Sequence, residues 1–235
     1  MEEAKRILYG RRRGRKLRGG QRELLDDVVP GLDIALDDAP RPIAPETLFP
    51  RPVREVWLEV GFGAGEHLLA QAAVNRDVGF IGCEPYVTGV VRMVRGLLDA
   101  RLDNVRLWRD DARLLIDGLA EASLSRVFVL FPDPWPKTRH HKRRFVSRPV
   151  LERLAAVMRD GAELRIATDD GGYLVWILER LQRSDAFLWT ARGPSDWRSR
   201  PSDWPATRYE LKALKEGRRC TYLRYRRVSR DGQGA

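Results

Sequence analysis

Four acidic residues stand where short apolar runs end, with a glycine cluster and a proline-framed loop among them. The first run closes on Glu59-Val60-Gly61-Phe62-Gly63-Ala64-Gly65. Glycines let a backbone turn sharply and approach a ligand where a Cβ would collide. The G-x-G-x-G spacing is shorter than the G-x-G-x-x-G dinucleotide fingerprint, which disfavours a nicotinamide dehydrogenase. Glu59, two residues before the first glycine, is placed to reach the ribose or amino-acid end of a ligand. The second run ends in Cys83-Glu84-Pro85, where an acid can accept hydrogen bonds from ribose hydroxyls. The third, Asn104–Trp108, leads into Arg109-Asp110-Asp111-Ala112. Any one of these acids could simply cap a helix; an ordered set after three successive runs describes a ligand crevice.

The fourth run, Val127–Phe131, continues as Pro132-Asp133-Pro134-Trp135-Pro136-Lys137. Prolines on both sides of Asp133 block helix and ladder pairing and hold the acid on a rigid loop; the plainer reading is a turn-forming Asp. The basic stretch Thr138–Phe145 follows at once. With no cysteine partners, His140 and His141 read as phosphate contacts rather than as bases or metal ligands. His67 reads as structural. Trp135 could stack on a base or pack, and Trp197 and Trp204 could order a substrate loop or pack on it.

These residues need a scaffold. Apolar runs at Val56–Val60, Val78–Cys83, Val105–Trp108, Val127–Phe131 and Leu164–Thr168 alternate with segments of helical spacing. Val87, Val90, Val91, Val94, Leu97 and Leu98 share one helical face, and Leu174, Val175, Leu178 and Leu181 another. Such alternation predicts an α/β fold with a mostly parallel sheet covered by helices on both faces. Cys220–Arg227 alternates and adds a late strand. Residues 1–22 are expected to be a mobile basic arm, 23–54 an irregular lead-in with six prolines, 55–230 one domain, and 231–235 a tail.

The chain has 235 residues and a net charge of +10. That charge is concentrated: +7 in residues 1–22, +6 in 137–148 and +7 in 208–230, leaving −10 elsewhere. Basic islands on an acidic body suit a polyanion, nucleic acid above all. Two cysteines are too few for a disulfide framework or a zinc site. No apolar run approaches membrane-spanning length, and the start lacks the apolar core of a signal peptide. A cytoplasmic protein with no membrane partner is expected.

The stretches LEVGFGAGEHL, FIGCEPY, RDDA, FPDPWPKTRHHKRRFV, IATDDGGY and TRYELKALKEG, from about residue 55 to 217, together resemble the bacterial tRNA (guanine-N7-)-methyltransferases. FPDPWPK with its basic continuation is the specific part. The resemblance implies a Rossmann-like class I methyltransferase with a seven-stranded sheet, using S-adenosyl-L-methionine to methylate the variable-loop guanosine at tRNA nucleotide 46. It assigns Glu59, Gly61, Gly63, Gly65, Glu84, Asp111 and Asp133 to the cofactor, with Asp133 also catalytic. Lys137, Asp169, Thr207, Arg208, Tyr209 and Glu210 fall to tRNA. It implies no metal and no obligatory protein partner, as monomer or homodimer. Another RNA or base atom, or a tRNA-binding protein without catalysis, are the competing readings.

Overall fold

The computed structural model describes residues 12, 14, 16–36 and 41–230. A short helix α1 (Gly19–Glu23) and irregular turns lead into β1 (Glu55–Val60). There follow α2 (Glu66–Val74), β2 (Val78–Cys83), α3 (Val87–Asp99), β3 (Val105–Trp108), α4 (Ala112–Gly118) and β4 (Leu124–Leu130). Then come α5 (Arg148–Val157), β5 (Met158–Thr168), α6 (Gly171–Gln182), β6 (Phe187–Trp189), α7 (Ser195–Arg198), α8 (Arg208–Lys215) and β7 (Thr221–Arg227). The seven strands lie in the order β3-β2-β1-β4-β5-β7-β6. The first five pair in parallel; β7 runs antiparallel to β5 and to β6.

The parallel strands are buried on both faces, which is why they read as apolar runs rather than alternating ones. Side chains alternate across β1: Val56 and Leu58 enter a core with α4, α5 and α6, while Trp57 enters one with α2, α3 and α8. Strand order reverses between β1 and β4, where the sequences after the first and fourth runs emerge together. Open α/β sheets bind ligands at such a switch point.

The five predicted parallel strands and the late strand are present. β6 escaped the sequence reading because three residues leave almost no pattern. The predicted face of α6 is corrected by one position. Tyr173, Ile177 and Leu181 are buried, whereas Val175 is 57% exposed. The apolar stripe there is wide, and contact with the sheet selects its centre.

The expected amino-terminal arm includes many residues outside those described. Its described part is anchored in two places. The Arg12 carbonyl accepts from Val87 N at 3.1 Å, and its guanidinium meets Asp110 at 2.7 Å. The lead-in is tied to the sheet by isolated bridges, Asp33 to Leu107 and Ile43 to Leu119. Among the described residues no helix is long and apolar enough to cross a membrane.

Candidate active site

A cleft of about 400 Å³ opens at the switch point, lined by the ends of β1, β2 and β4 and the start of α4. Its glycine loop is held by backbone geometry: Gly61, Gly63 and Gly65 have φ of 74°, 61° and 87°. A Cβ on Gly61 would meet nothing within 4 Å, so bare backbone faces open space. Gly65 serves packing instead. A Cβ there would lie 2.3 Å from the Met93 sulfur, so this glycine lets α2 approach α3.

Glu84 ends β2 and points into the cleft, accepting from Gly63 N at 2.8 Å and Tyr86 N at 2.9 Å. One carboxylate therefore ties the glycine loop to the second strand. Burial raises its pKa, opposed by the two backbone donors; Asp133 raises it further and Arg208 lowers it. Asp111 caps α4, accepting from Arg113 N at 3.0 Å, and pairs with the Arg113 guanidinium at 2.9 Å. Asp111 is thus a helix cap that also lines the cleft. Asp133 stands at the rim, exposed, on the loop after β4; desolvation by the surrounding protein still raises its carboxyl pKa.

Glu59 is placed differently from expectation. It shares the face of β1 with Trp57, is 3% exposed, and meets His67 Nδ1 at 2.6 Å beneath α2. It does not line the cleft. A two-residue step before the glycine did not reveal which face of β1 the side chain takes. His67 is structural, as read: it is buried edge-on against Phe128, with ring centroids 4.6 Å apart.

The residues assigned to tRNA divide. Tyr209 lines the cleft, and its ring lies so close over the glycine loop that a Cβ on Gly63 would be 2.9 Å from it. Arg208 reaches Glu66 at 3.6 Å. Thr207 caps α8 through Glu210 N, and Glu210 is buried between Tyr222 and Arg200. Asp169 pairs with Arg218 at 2.9 Å, whereas its neighbour Asp170 caps α6 through Tyr173 N. Asp169 and Glu210 line a second cavity, of about 920 Å³, on the other side of α8. Lys137 is exposed just beyond the Asp133 loop.

The cleft is also lined by Tyr86, Trp135, Arg143 and Phe145, which lie inside the quoted motifs without an assigned role, and by Arg113, which lies outside them. Trp204 is decided by the structure: it is 2% exposed and packs edge-on to Tyr222, an anchor rather than an RNA contact. Trp197 is half-buried beside Trp189. His140 lies at the edge of Trp135, and its pKa is lowered by desolvation and by the cations of its own run.

This sheet order, with its antiparallel β7 and a glycine-loop cleft at the β1/β4 switch point, defines a Rossmann-like class I methyltransferase fold. Solved structures agree. An rRNA methylase from Streptococcus thermophilus superposes with a TM-score of 0.51, at 12% identity, over 74% of this chain and 87% of its own. The 16S rRNA methyltransferase KamB also gives 0.51, at 15% identity, over 75% and 89%. Likeness at that level speaks of fold alone. In sequence, residues 53–223 match the family described as "Putative methyltransferase". A tRNA (guanine-N(7)-)-methyltransferase of Rhodospirillum rubrum is 48% identical over 94% of this chain and 88% of its own length. One from Chelativorans is 43% identical over 97% of each. The chain belongs to this tRNA (guanine-N(7)-)-methyltransferase family.

Proposed function

We propose that the protein transfers the methyl group of S-adenosyl-L-methionine to N7 of the variable-loop guanosine of tRNA, nucleotide 46, in the cytoplasm. The observation that carries this is the meeting, in one cleft, of the glycine loop with Glu84 and Asp111 on one side and the Pro-Asp-Pro loop on the other.

The cleft fits an adenosyl cofactor. Its floor is bare backbone at Gly61, while the Tyr209 ring lies over Gly63, and the positive φ at both positions favours glycine. Glu84 is placed for ribose hydroxyls, and Asp111 for the exocyclic amine of adenine. Glu59 pairs with His67 of α2 beside the loop. When bound, the cofactor supplies an electrophilic sulfonium methyl.

Guanine N7 is a bare lone pair on the Hoogsteen edge, with no proton to remove. The residues therefore need to align the acceptor and stabilise charge rather than act as a strong base. Asp133 accepts from guanine N1–H and the amino group, fixing the base with N7 toward the methyl. As positive charge moves onto the purine, the carboxylate beside it becomes a better partner. Tyr209 and Arg208, lying over the glycine loop, close the cleft from the RNA side. The cavity beyond α8, with Asp169, Arg198, Arg200 and Arg219 on its walls, receives the adjoining strand. Lys137 and the exposed cations after it contact phosphates and make affinity salt-dependent.

The test uses an unmodified tRNA transcript with a variable-loop guanosine, labelled S-adenosylmethionine, and a control transcript lacking that guanosine. Mass spectrometry of the digested product should find 7-methylguanosine in the first only. Label in another nucleoside would retain the fold and overturn the target. Tight binding of both ligands without transfer would favour a non-catalytic role.

A further inference from the structure

We propose that Trp135 is the surface on which the target guanine lies, and that its indole stabilises the positive charge the purine acquires. The inference builds on the guanine-N7 reading above. Its starting point is backbone geometry. Trp135 has φ of 45° and Phe131 φ of 50°, so two bulky residues in left-handed conformation bracket Asp133. Bulky side chains rarely adopt this region, and such conformations persist only where the surroundings impose them. Here Pro132, Pro134 and Pro136 restrict the chain on either side of each step.

Core packing does not account for the conformation. Trp135 belongs to neither apolar core and is only half-buried. The loop brings Trp135 to the wall of the cleft that Asp133 and Tyr209 also line. Its neighbours there are polar: the Arg143 guanidinium stands 4.9 Å from the ring centroid, and His140 meets the ring edge-on. The guanidinium takes one face of the indole; the planar purine cation takes the other.

The reaction makes such a cation. The N7 lone pair forms the bond to the methyl carbon, and the carbon–sulfur pair stays on sulfur, which becomes a neutral thioether. No proton leaves, so the positive charge passes to the guanine ring. Indole is the aromatic side chain that attracts cations most strongly. A face that prefers charged purine to neutral purine binds the transition state better than the substrate, which is what accelerates the step. Asp133 then meets the charged ring at its edge and Trp135 at its face.

The experiment compares wild type with Trp135→Phe and Trp135→Leu. Affinities for unmodified and for 7-methylated tRNA are measured by competition, with S-adenosylhomocysteine bound. The pH is held mildly acidic, so that the methylated base keeps its N1 proton and its charge. Wild type should prefer the methylated tRNA by about 2- to 30-fold. Trp135→Leu should lose most of that preference, keeping the share due to Asp133, and the single-turnover methylation rate should fall by a similar factor with S-adenosylhomocysteine affinity unchanged. Trp135→Phe should retain part of both. A wild-type enzyme with no preference, or a Leu variant with an intact one, overturns the proposal. Because the Asp133 carboxylate also favours the charged purine, the Phe variant carries the comparison if the Leu variant fails to fold, and an undiminished preference in it overturns the proposal. If wild type makes no 7-methylguanosine at all, the N7 reading itself falls; product without a preference removes Trp135 alone.

Discussion

Gly89, in the first turn of α3, is the position where one methyl group should do most damage to cofactor binding. A Cβ there would lie 2.1 Å from the Gly63 carbonyl oxygen, and real Cβ atoms essentially never approach closer than 3.0 Å. Gly89→Ala therefore has to part α3 from the glycine loop by at least about 0.9 Å. Overpacking of this kind costs about 1–3 kcal/mol. Against it stands the helix preference for alanine over glycine, about 1 kcal/mol. The net loss of stability should lie between nil and roughly 2 kcal/mol, a fall in Tm of no more than about 8 °C for a chain of this size. Affinity is hit harder. The displaced loop endangers the bond from Gly63 N to Glu84 Oε2, now 2.8 Å, and hydrogen bonds to charged groups contribute about 1.5–3 kcal/mol. If the ligand must restore it, binding weakens roughly 10- to 150-fold. Calorimetric titration with S-adenosylhomocysteine, alongside thermal unfolding, measures both effects. Gly171→Ala is the control, because a Cβ there meets nothing within 4 Å. An unchanged affinity with a raised Tm in Gly89→Ala would falsify the close approach of α3 to the loop.

Three other outcomes are expected. Glu59→Ala strands the buried His67 Nδ1 and should cost about 1–3 kcal/mol in denaturant unfolding, with a smaller effect on cofactor affinity; lost affinity at full stability would return Glu59 to the ligand. Because desolvation raises the Asp133 pKa, kcat/KM should fall on the acid side at a pH above the ordinary carboxylate value, as Asp133 takes a proton. The same shift favours its neutral form in the fold, a contribution present at low pH and lost as pH rises through the folded pKa. Asp133→Asn should therefore abolish that acid limb and most turnover while keeping the neutral-pH Tm; wild-type turnover with intact cofactor binding would refute its electrostatic role. Deleting residues 1–20 should weaken tRNA binding and flatten its dependence on salt, with cofactor affinity nearly unchanged; equal salt slopes would remove the arm from the interface.

What the sequence determined by itself is what neighbouring residues enforce on one another. Apolar runs between helical segments specify parallel strands buried on both faces; β1, β2 and β3 could be read nearly to the residue, whereas β4 and β5 begin three and six residues before the predicted starts. Gly61, Gly63 and Gly65 announce a left-handed loop, and Pro132 and Pro134 a rigid one, because φ limits act within a residue or two. Even the basic islands are a property of the chain.

Tertiary structure decided matters that depend on distant segments meeting. Glu59 faces α2 rather than the cleft because of its position in the pleat of β1, and His67 fixes it there. Tyr209 covers Gly63 from almost 150 residues away. Gly89 gives no local sign of its role, since only the packing of α3 on the loop puts a carbonyl where its side chain would be. Trp204 became an anchor and Trp135 a cleft wall, although both stand among prolines. Short-range sterics are written into adjacent residues; which faces end in contact is chosen by the whole fold's burial of apolar surface, to which no single segment holds the key.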